Sequence, residues 1–194
     1  MALFRFVGGK MEAEINKEYL GSANKDYLSK DLIAMEIACI SAKESKDPST
    51  QVGACILSKD NRVISTGFNH NPNNWDVSEF PWRNDVSVIG EENTKYPYII
   101  HAELDAISKC SNPSEIKDGS IYVTLFPCVH CAKVISSFGI KKVVYAEYRE
   151  SKEATCSKRL LEKSGIEVIN FDEILKNNKK EEKHKKLVLN LRGK

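Results

Sequence analysis

Residues 120–146 read SIYVTLFPCVHCAKVISSFGIKKVVYA, and the architecture follows from them. Ser120–Leu125 is a six-residue run rich in β-branched and aromatic side chains, which predicts a strand. Pro127 sits where a helix starts and its missing N–H costs nothing, so a helix is expected from Cys128 to Phe138, stopped at Gly139. A second strand should cover Lys142–Ala146. A strand, a helix and a strand in that order imply two parallel strands joined by a crossover helix.

Working outward, the alternation continues. A helix is expected from about Lys152 to Ser164 with a stop at Gly165, then a last strand over Glu167–Phe171. Upstream, a helix should run from about His101 to Cys110. Before it, residues 69–100 contain Asn69, Asn71, Pro72, Asn73, Asn74, Pro81, Gly90 and Pro97 and read as a loop; one so long inside a compact domain is usually functional. Gln51–Ser58 and Arg62–Phe68, separated by Lys59-Asp60-Asn61, read as an antiparallel hairpin. Helical spacing begins near Tyr27, with Leu28, Leu32, Met35 and Cys39 in one row and Ile33, Ile37 and Ile40 beside it. Pro48 disfavours helix at Asp47, so this helix should end near Ser45-Lys46. The division expected is a poorly ordered leader at 1–24, a catalytic domain at 25–175, and a basic tail at 176–194.

The chain has 194 residues, 41% hydrophobic and 29% charged, as in a globular protein of one domain. Its net charge of +2 gives no support to a nucleic-acid binder that relies on bulk positive charge. That figure hides an asymmetry: residues 176–194 carry a net +6, which leaves the remainder mildly acidic. The plainest reading of the tail is a solvated terminus, with nucleic acid, an acidic partner or a nuclear import receptor as the alternative. Leu32–Ile40, the most apolar helical stretch, is interrupted by Glu36 and far too short for a membrane span. The N-terminal apolar run is too short and broken for a signal peptide, so the expected compartment is the cytoplasm, with nuclear access through the tail. There the six cysteines are expected as thiols, and a paired motif points to metal or catalysis rather than a disulfide.

Two segments carry the chemistry: His101-Ala102-Glu103 and Pro127-Cys128-Val129-His130-Cys131. Each lies where a predicted helix begins, and the positive end of the helix dipole there favours a thiolate at Cys128. Two thiolates two residues apart can grip one ion from a single helical turn. With a neutral His101 they give Zn²⁺ three ligands and leave a fourth position for water, the arrangement of a catalytic site. Bound Zn²⁺ lowers the pKa of its water to about 7. Glu103, two residues past His101, is close enough to take that water's proton and pass it on. C-x-x-C alone also fits a redox dithiol or half a zinc ribbon, and H-x-E alone is weaker still; their combination is the specific signal. The bland alternative is a surface His101–Glu103 pair beside a buried cysteine pair. His70 and His130, with Cys39, Cys55 or Cys110, would be the pieces of any second metal site.

H-x-E followed by P-C-x-x-C is the signature of zinc nucleobase deaminases. Neighbouring segments narrow the match: Ser45-Lys-Asp-Pro-Ser-Thr-Gln-Val-Gly-Ala-Cys-Ile56, Gly67-Phe-Asn69, Phe80-Pro-Trp-Arg83, Lys95-Tyr-Pro-Tyr98, His101-Ala-Glu-Leu-Asp-Ala-Ile107 and Leu125-Phe-Pro-Cys-Val-His-Cys-Ala-Lys133, with Glu153-Ala-Thr155 and Arg159-Leu-Leu161. From about residue 27 to 171 the chain resembles the deoxycytidylate (dCMP) deaminases of the eukaryotic type. Free cytidine deaminases use a cysteine where His101 stands, and tRNA adenosine deaminases have a much shorter connection ahead of that histidine.

The resemblance implies an α/β fold, a three-layer α/β/α cytidine-deaminase-like sandwich with a five-stranded mixed sheet whose first two strands are the hairpin. It implies hydrolytic deamination of dCMP to dUMP with release of ammonia, supplying thymidylate synthesis. It further implies activation by dCTP, inhibition by dTTP, Mg²⁺ accompanying the triphosphate, and a homo-oligomer, commonly a hexamer. Residue by residue, His101, Cys128 and Cys131 match the zinc ligands, and Glu103 matches the proton shuttle and partner of the pyrimidine N3. Asn69 matches the sugar-binding asparagine. The Ala102 N–H would meet the pyrimidine carbonyl, and Val52 and Phe126 would wall the ring, unless they are ordinary core. Ser45, Lys46 and Arg83 are candidates for the phosphate, which needs cations or free N–H groups. The sequence departs from the family where Glu44 replaces an arginine and where Phe68 and His70 alter the segment around Asn69, positions near where the resemblance places the nucleotides. The alternatives are another zinc deaminase, acting on a free nucleoside or on a base in nucleic acid, and a non-catalytic scaffold stapled by zinc. Glu103 argues against the scaffold, because a structural site has no use for that acid.

Overall fold

In the computed structural model the residues described are 27–177 and two strands nearer the N-terminus, β1 (Leu3–Val7) and β2 (Lys10–Glu14). These two pair antiparallel as a separate sheet, in the region expected to be a poorly ordered leader. The other expectations for the leader, and those for tail residues 178–194, fall outside the described residues.

The main sheet has five strands: β3 (Gly53–Leu57), β4 (Val63–Phe68), β5 (Ser120–Leu125), β6 (Lys142–Glu147) and β7 (Glu167–Asn170). Their order is β4-β3-β5-β6-β7. β3 pairs antiparallel with β4 and β5, whereas β5, β6 and β7 run parallel, as the strand–helix alternation requires. Asn61 turns the hairpin at φ 58°, a conformation asparagine tolerates better than most residues.

Both faces are covered, and the strand side chains sort by alternation. Ala54, Ile56, Ile121, Val123 and Val143 face a core built with α3 (Ala102–Ser108), α4 (Val129–Ser137) and α5 (Lys152–Lys163). Cys55, Leu57, Tyr122, Val144 and Ala146 face the opposite core, closed by α1 (Lys30–Ala42) and α6 (Phe171–Asn177). This is the expected three-layer α/β/α sandwich. Among the described residues no helix is long and apolar enough to cross a membrane.

Three boundaries differ from the sequence expectation. α1 starts at Lys30 because Ser29 accepts from the Leu32 N–H at 3.2 Å, and it ends at Ala42, short of Ser45. Residues 69–100 contain a single-turn helix, α2 (Val86–Ile89), and a 3₁₀ turn at Glu91–Asn93. They also have a small aromatic core, with Trp75 against Phe80 and Tyr98, and Phe80 against Trp82. Phe171 belongs to a helix, not to the last strand: Asn170 Oδ1 accepts from the Asp172 N–H at 2.8 Å and turns the chain, which buries Phe171 completely and carries α6 past residue 175.

Gly67 sets how closely β4 meets α3. A Cβ there would lie 2.4 Å from both the Ala102 carbonyl and the Ala106 nitrogen, so no side chain fits without moving the helix that carries Glu103.

Candidate metal centre

The site is assembled at two helix starts. His101 is the N-cap of α3 and Cys128 the N-cap of α4, both with extended backbone, and Cys131 lies in the first turn of α4. The parallel strand β5 delivers Phe126-Pro127 to this point. Behind it, buried Ser157 of α5 donates to the Pro127 carbonyl at 2.7 Å and fixes the approach to Cys128. The three donor atoms lie within 4.8 Å of one another. His101 Nδ1 is 3.4 Å from Cys128 Sγ and 3.5 Å from Cys131 Sγ.

These distances test the fit of zinc. Bonds of about 2.3 Å to sulfur and about 2.0–2.1 Å to nitrogen, set at the tetrahedral angle, place N and S roughly 3.6 Å apart. Two soft thiol donors and one imidazole at that spacing suit Zn²⁺, and three protein ligands leave one position open. Among the described residues this is the only group of three or more His, Cys, Asp or Glu side chains gathered closely enough to hold an ion, so the second-metal combinations are not assembled.

Without an ion the protons divide unevenly. The hydrogen bond from Cys131 brings the Cys128 thiol down to about 3, against its burial. Cys131 moves up, because it donates to that thiolate and is itself buried. The Cys128 thiolate in turn raises His101 to about 9. Glu103 is almost fully buried next to these groups, and burial raises its carboxyl above the ordinary range. A carboxylic acid poised upward in a dry site is suited to carrying a proton back and forth.

Ala102 opens α3, so its N–H has no partner within the helix and is available to a carbonyl. Phe126 is buried at the end of β5, stacked edge-on with Tyr145 and Tyr148 at 4.9 and 5.0 Å, and Val52 is half-buried against the same core. Both therefore take part in core packing.

The amide of Asn69 is engaged in building its surroundings. Its Oδ1 accepts from the Val52 N–H at 2.7 Å, and its Nδ2 donates to Asp47 at 3.2 Å and to the Thr50 carbonyl at 2.9 Å. Ser45 is buried and caps its own loop, its Oγ accepting from the Asp47 N–H. Lys46 is exposed and lines two clefts. Arg83 is exposed, pairs with Asp85 and lines neither cleft.

Sequence reasoning missed the pieces that hold these loops. Lys95 Nζ reaches Asp47 Oδ2 and Ser49 Oγ, each at 2.5 Å, with both charged side chains buried. Asp105 accepts from the Phe68 N–H, lies 3.1 Å from His70 Nε2 and pairs with Lys109, joining the end of β4 to α3. Asp47 and Lys95 stood inside segments quoted for the resemblance, but nothing in the sequence paired them. Arg149 carried no signal at all.

Comparison with known proteins agrees with this geometry. Residues 28–147 match the family model described as the cytidine and deoxycytidylate deaminase zinc-binding region. The chain is 42% identical over 143 residues to a Homo sapiens deoxycytidylate deaminase, covering 73% of this chain and 79% of that one. It is 37% identical over 160 residues to a probable deoxycytidylate deaminase of Drosophila melanogaster, covering 80% and 78%. The fold also matches the crystal structure of the dCMP deaminase of cyanophage S-TIM5 in complex with dCMP and dUMP. That match has a TM-score of 0.58 and 23% identity, over 74% of this chain and 99% of the other.

Proposed function

The chain belongs to the cytidine and deoxycytidylate deaminase family, and from that premise we propose that it converts dCMP and water to dUMP and ammonia. The observation that carries this reading is the buried Glu103 set beside the His101, Cys128 and Cys131 donors at the starts of two adjacent helices. Similarity to deoxycytidylate deaminases over most of both chains supports the choice of substrate.

His101 Nδ1 and the sulfurs of Cys128 and Cys131 would hold a zinc ion, which would supply the Lewis acidity that makes water nucleophilic near neutral pH. The protein's own groups do the rest. The Glu103 carboxylate takes a proton from the attacking water as the water oxygen bonds to C4, and gives it to the ring N3. A second proton passes through the same carboxyl to the exocyclic amine, the C4–N bond breaks, and ammonia leaves. The Ala102 N–H holds the pyrimidine carbonyl, which orients the ring. Phe126 and Val52 keep the ring's surroundings apolar and dry, where charge–dipole interactions are stronger.

Activation by dCTP with Mg²⁺, inhibition by dTTP and a hexameric assembly belong to this reading through the resemblance alone, and a cytoplasmic location through the sequence expectation alone. The deciding experiment is a rate comparison of the zinc-loaded protein on dCMP, CMP, dCTP and deoxycytidine. dCMP should be preferred over deoxycytidine; equal kcat/KM for the two refutes the nucleotide reading.

A further inference from the structure

A cleft of about 580 Å³ lies between the loop after α1 and the segment after β6. The steps above do not use it. It is lined by Cys39 and Ala42 of α1, by Thr124 and Leu125 at the end of β5, and by Lys46, Thr50 and Arg149. Its cations are Lys43, Lys46 and Arg149, and its carboxylates are Asp47 and Glu147. Lys95 already neutralises Asp47, so the cleft keeps a positive balance. A second cleft, about 480 Å³, shares Lys46 but sets Lys46 and Lys109 against Glu44 and Asp105, and is balanced.

The basic cleft adjoins the ring wall. The Glu147 carbonyl accepts from the Phe126 N–H at 2.8 Å, and the Tyr148 ring lies against Phe126. On the opposite bank, Thr50 is two residues before Val52. Arg149 spans the two banks: its Nε donates to Glu147 at 3.0 Å, and its Nη1 lies 3.4 Å from Thr50 Oγ1. A guanidinium has five N–H donors in a planar fork, so it retains donors for a bidentate anion, and the Thr50 hydroxyl beside it can donate as well.

The geometry points to Arg149, with Thr50 and Lys46 alongside, as the anchor for the 5′-phosphate of the nucleotide, in place of Arg83. This rests on the nucleotide substrate proposed above. Arg149 reads the charge that distinguishes a nucleotide from its nucleoside and does not touch the reacting atoms. Glu147 holds the guanidinium in place before the phosphate arrives.

The test measures kcat and KM for dCMP and deoxycytidine, and titrates dUMP into the zinc-loaded protein, for the wild type, Arg149→Ala, Arg149→Lys, Arg83→Ala and, as a control at the far end of the sheet, Arg62→Ala. Arg149→Ala should raise KM for dCMP and weaken dUMP binding at least tenfold while leaving kcat/KM for deoxycytidine within twofold. Arg149→Lys should recover part of the loss, because a lysine is a point charge without the fork. A dCMP KM unchanged in Arg149→Ala, an equal loss with deoxycytidine, or a loss carried by Arg83→Ala instead overturns the assignment. A wild type that turns over deoxycytidine but not dCMP refutes the proposed function separately. The dUMP titration then still decides the anchor: binding weakened by Arg149→Ala supports it, and unchanged or absent binding overturns it.

Discussion

Replacing Lys95 by methionine tests whether the long loop is pinned to the body by one buried ion pair. The Lys95 side chain is 6% exposed and that of Asp47 is 1% exposed. Asp47 has other partners: Ser49 donates through N–H and hydroxyl at 2.8 and 2.9 Å, Thr50 N–H at 3.1 Å, and Asn69 Nδ2 at 3.2 Å. Breaking a buried pair from one side costs about 3–5 kcal/mol, because a charge is left uncompensated. The four remaining donors place Lys95→Met at the low end, about 3 kcal/mol. In a domain of this size that lowers Tm by about 6–12 °C. Asp47→Asn is worse matched than its shape suggests, because it sets an NH₂ against two donors, Lys95 and Asn69. The double variant removes both charges, so its cost should fall at least about 2 kcal/mol short of the sum of the singles.

The pair also predicts a pH signature. Burial alone would raise Asp47, but the bonds from Lys95, Ser49 and Thr50 outweigh it and hold the carboxyl below its ordinary value. A depressed carboxyl contributes stability that is complete above its unfolded pKa, about 3.9, and is lost as pH falls through the folded value. Without Lys95 the folded carboxyl takes up its proton at higher pH. The stability gap between wild type and Lys95→Met should therefore narrow as pH drops from 7 toward 4. Circular dichroism in urea gives the global loss. Emission reports the loop, because the chain's two tryptophans, Trp75 and Trp82, both sit in its aromatic core. A cost below about 1 kcal/mol with unshifted emission, or strictly additive single and double variants, refutes the reasoning.

Other consequences are as direct. Glu103→Gln should retain zinc, measured by metal analysis, and lose deamination by about 10²–10⁴-fold, the usual worth of a general acid–base. Zinc binding should release about two protons at pH 7, from Cys131 and from His101, since only Cys128 is already deprotonated there; calorimetry in buffers of different ionisation enthalpy counts them, and affinity should fall as pH is lowered. Gly67→Ala should destabilise by about 3 kcal/mol in urea unfolding, because the added methyl meets α3 backbone and no flexible side chain can yield. Added dCTP with Mg²⁺ should raise the rate at low dCMP and dTTP should lower it; hyperbolic kinetics indifferent to both would mark an unregulated variant.

The parts of the molecule legible in the sequence are those where chemistry and local backbone coincide. His101, Cys128 and Cys131 each occupy a helix start, and helix starts announce themselves through Pro127 and a change of periodicity. The strand Ser120–Leu125 was expected over the same residues that form it. The missed elements had weaker or competing local signals. Val168, Ile169 and Phe171 read as the apolar positions of one strand, but the Asn170 side chain between them accepts from the Asp172 N–H and turns Phe171 into a helix.

The binding loops resist such reading for a different reason. Asn69, Ser45 and Asp47 are the residue types that bind sugars and phosphates, and also those that build polar loops. Here they bond to one another and to Thr50, Val52 and Lys95. Lys95 lies 48 residues from Asp47, and Arg149 lies 99 from Thr50; no periodicity links partners that far apart. A polar side chain spent on holding a loop cannot also supply every donor to a ligand, so the ligand's charge must fall to a group with donors left over. That condition moves attention from the buried, satisfied residues of the motif to its rim. It favours Arg149, whose fork is held by Glu147 and only partly used, over the Ser45 that the motif itself offered.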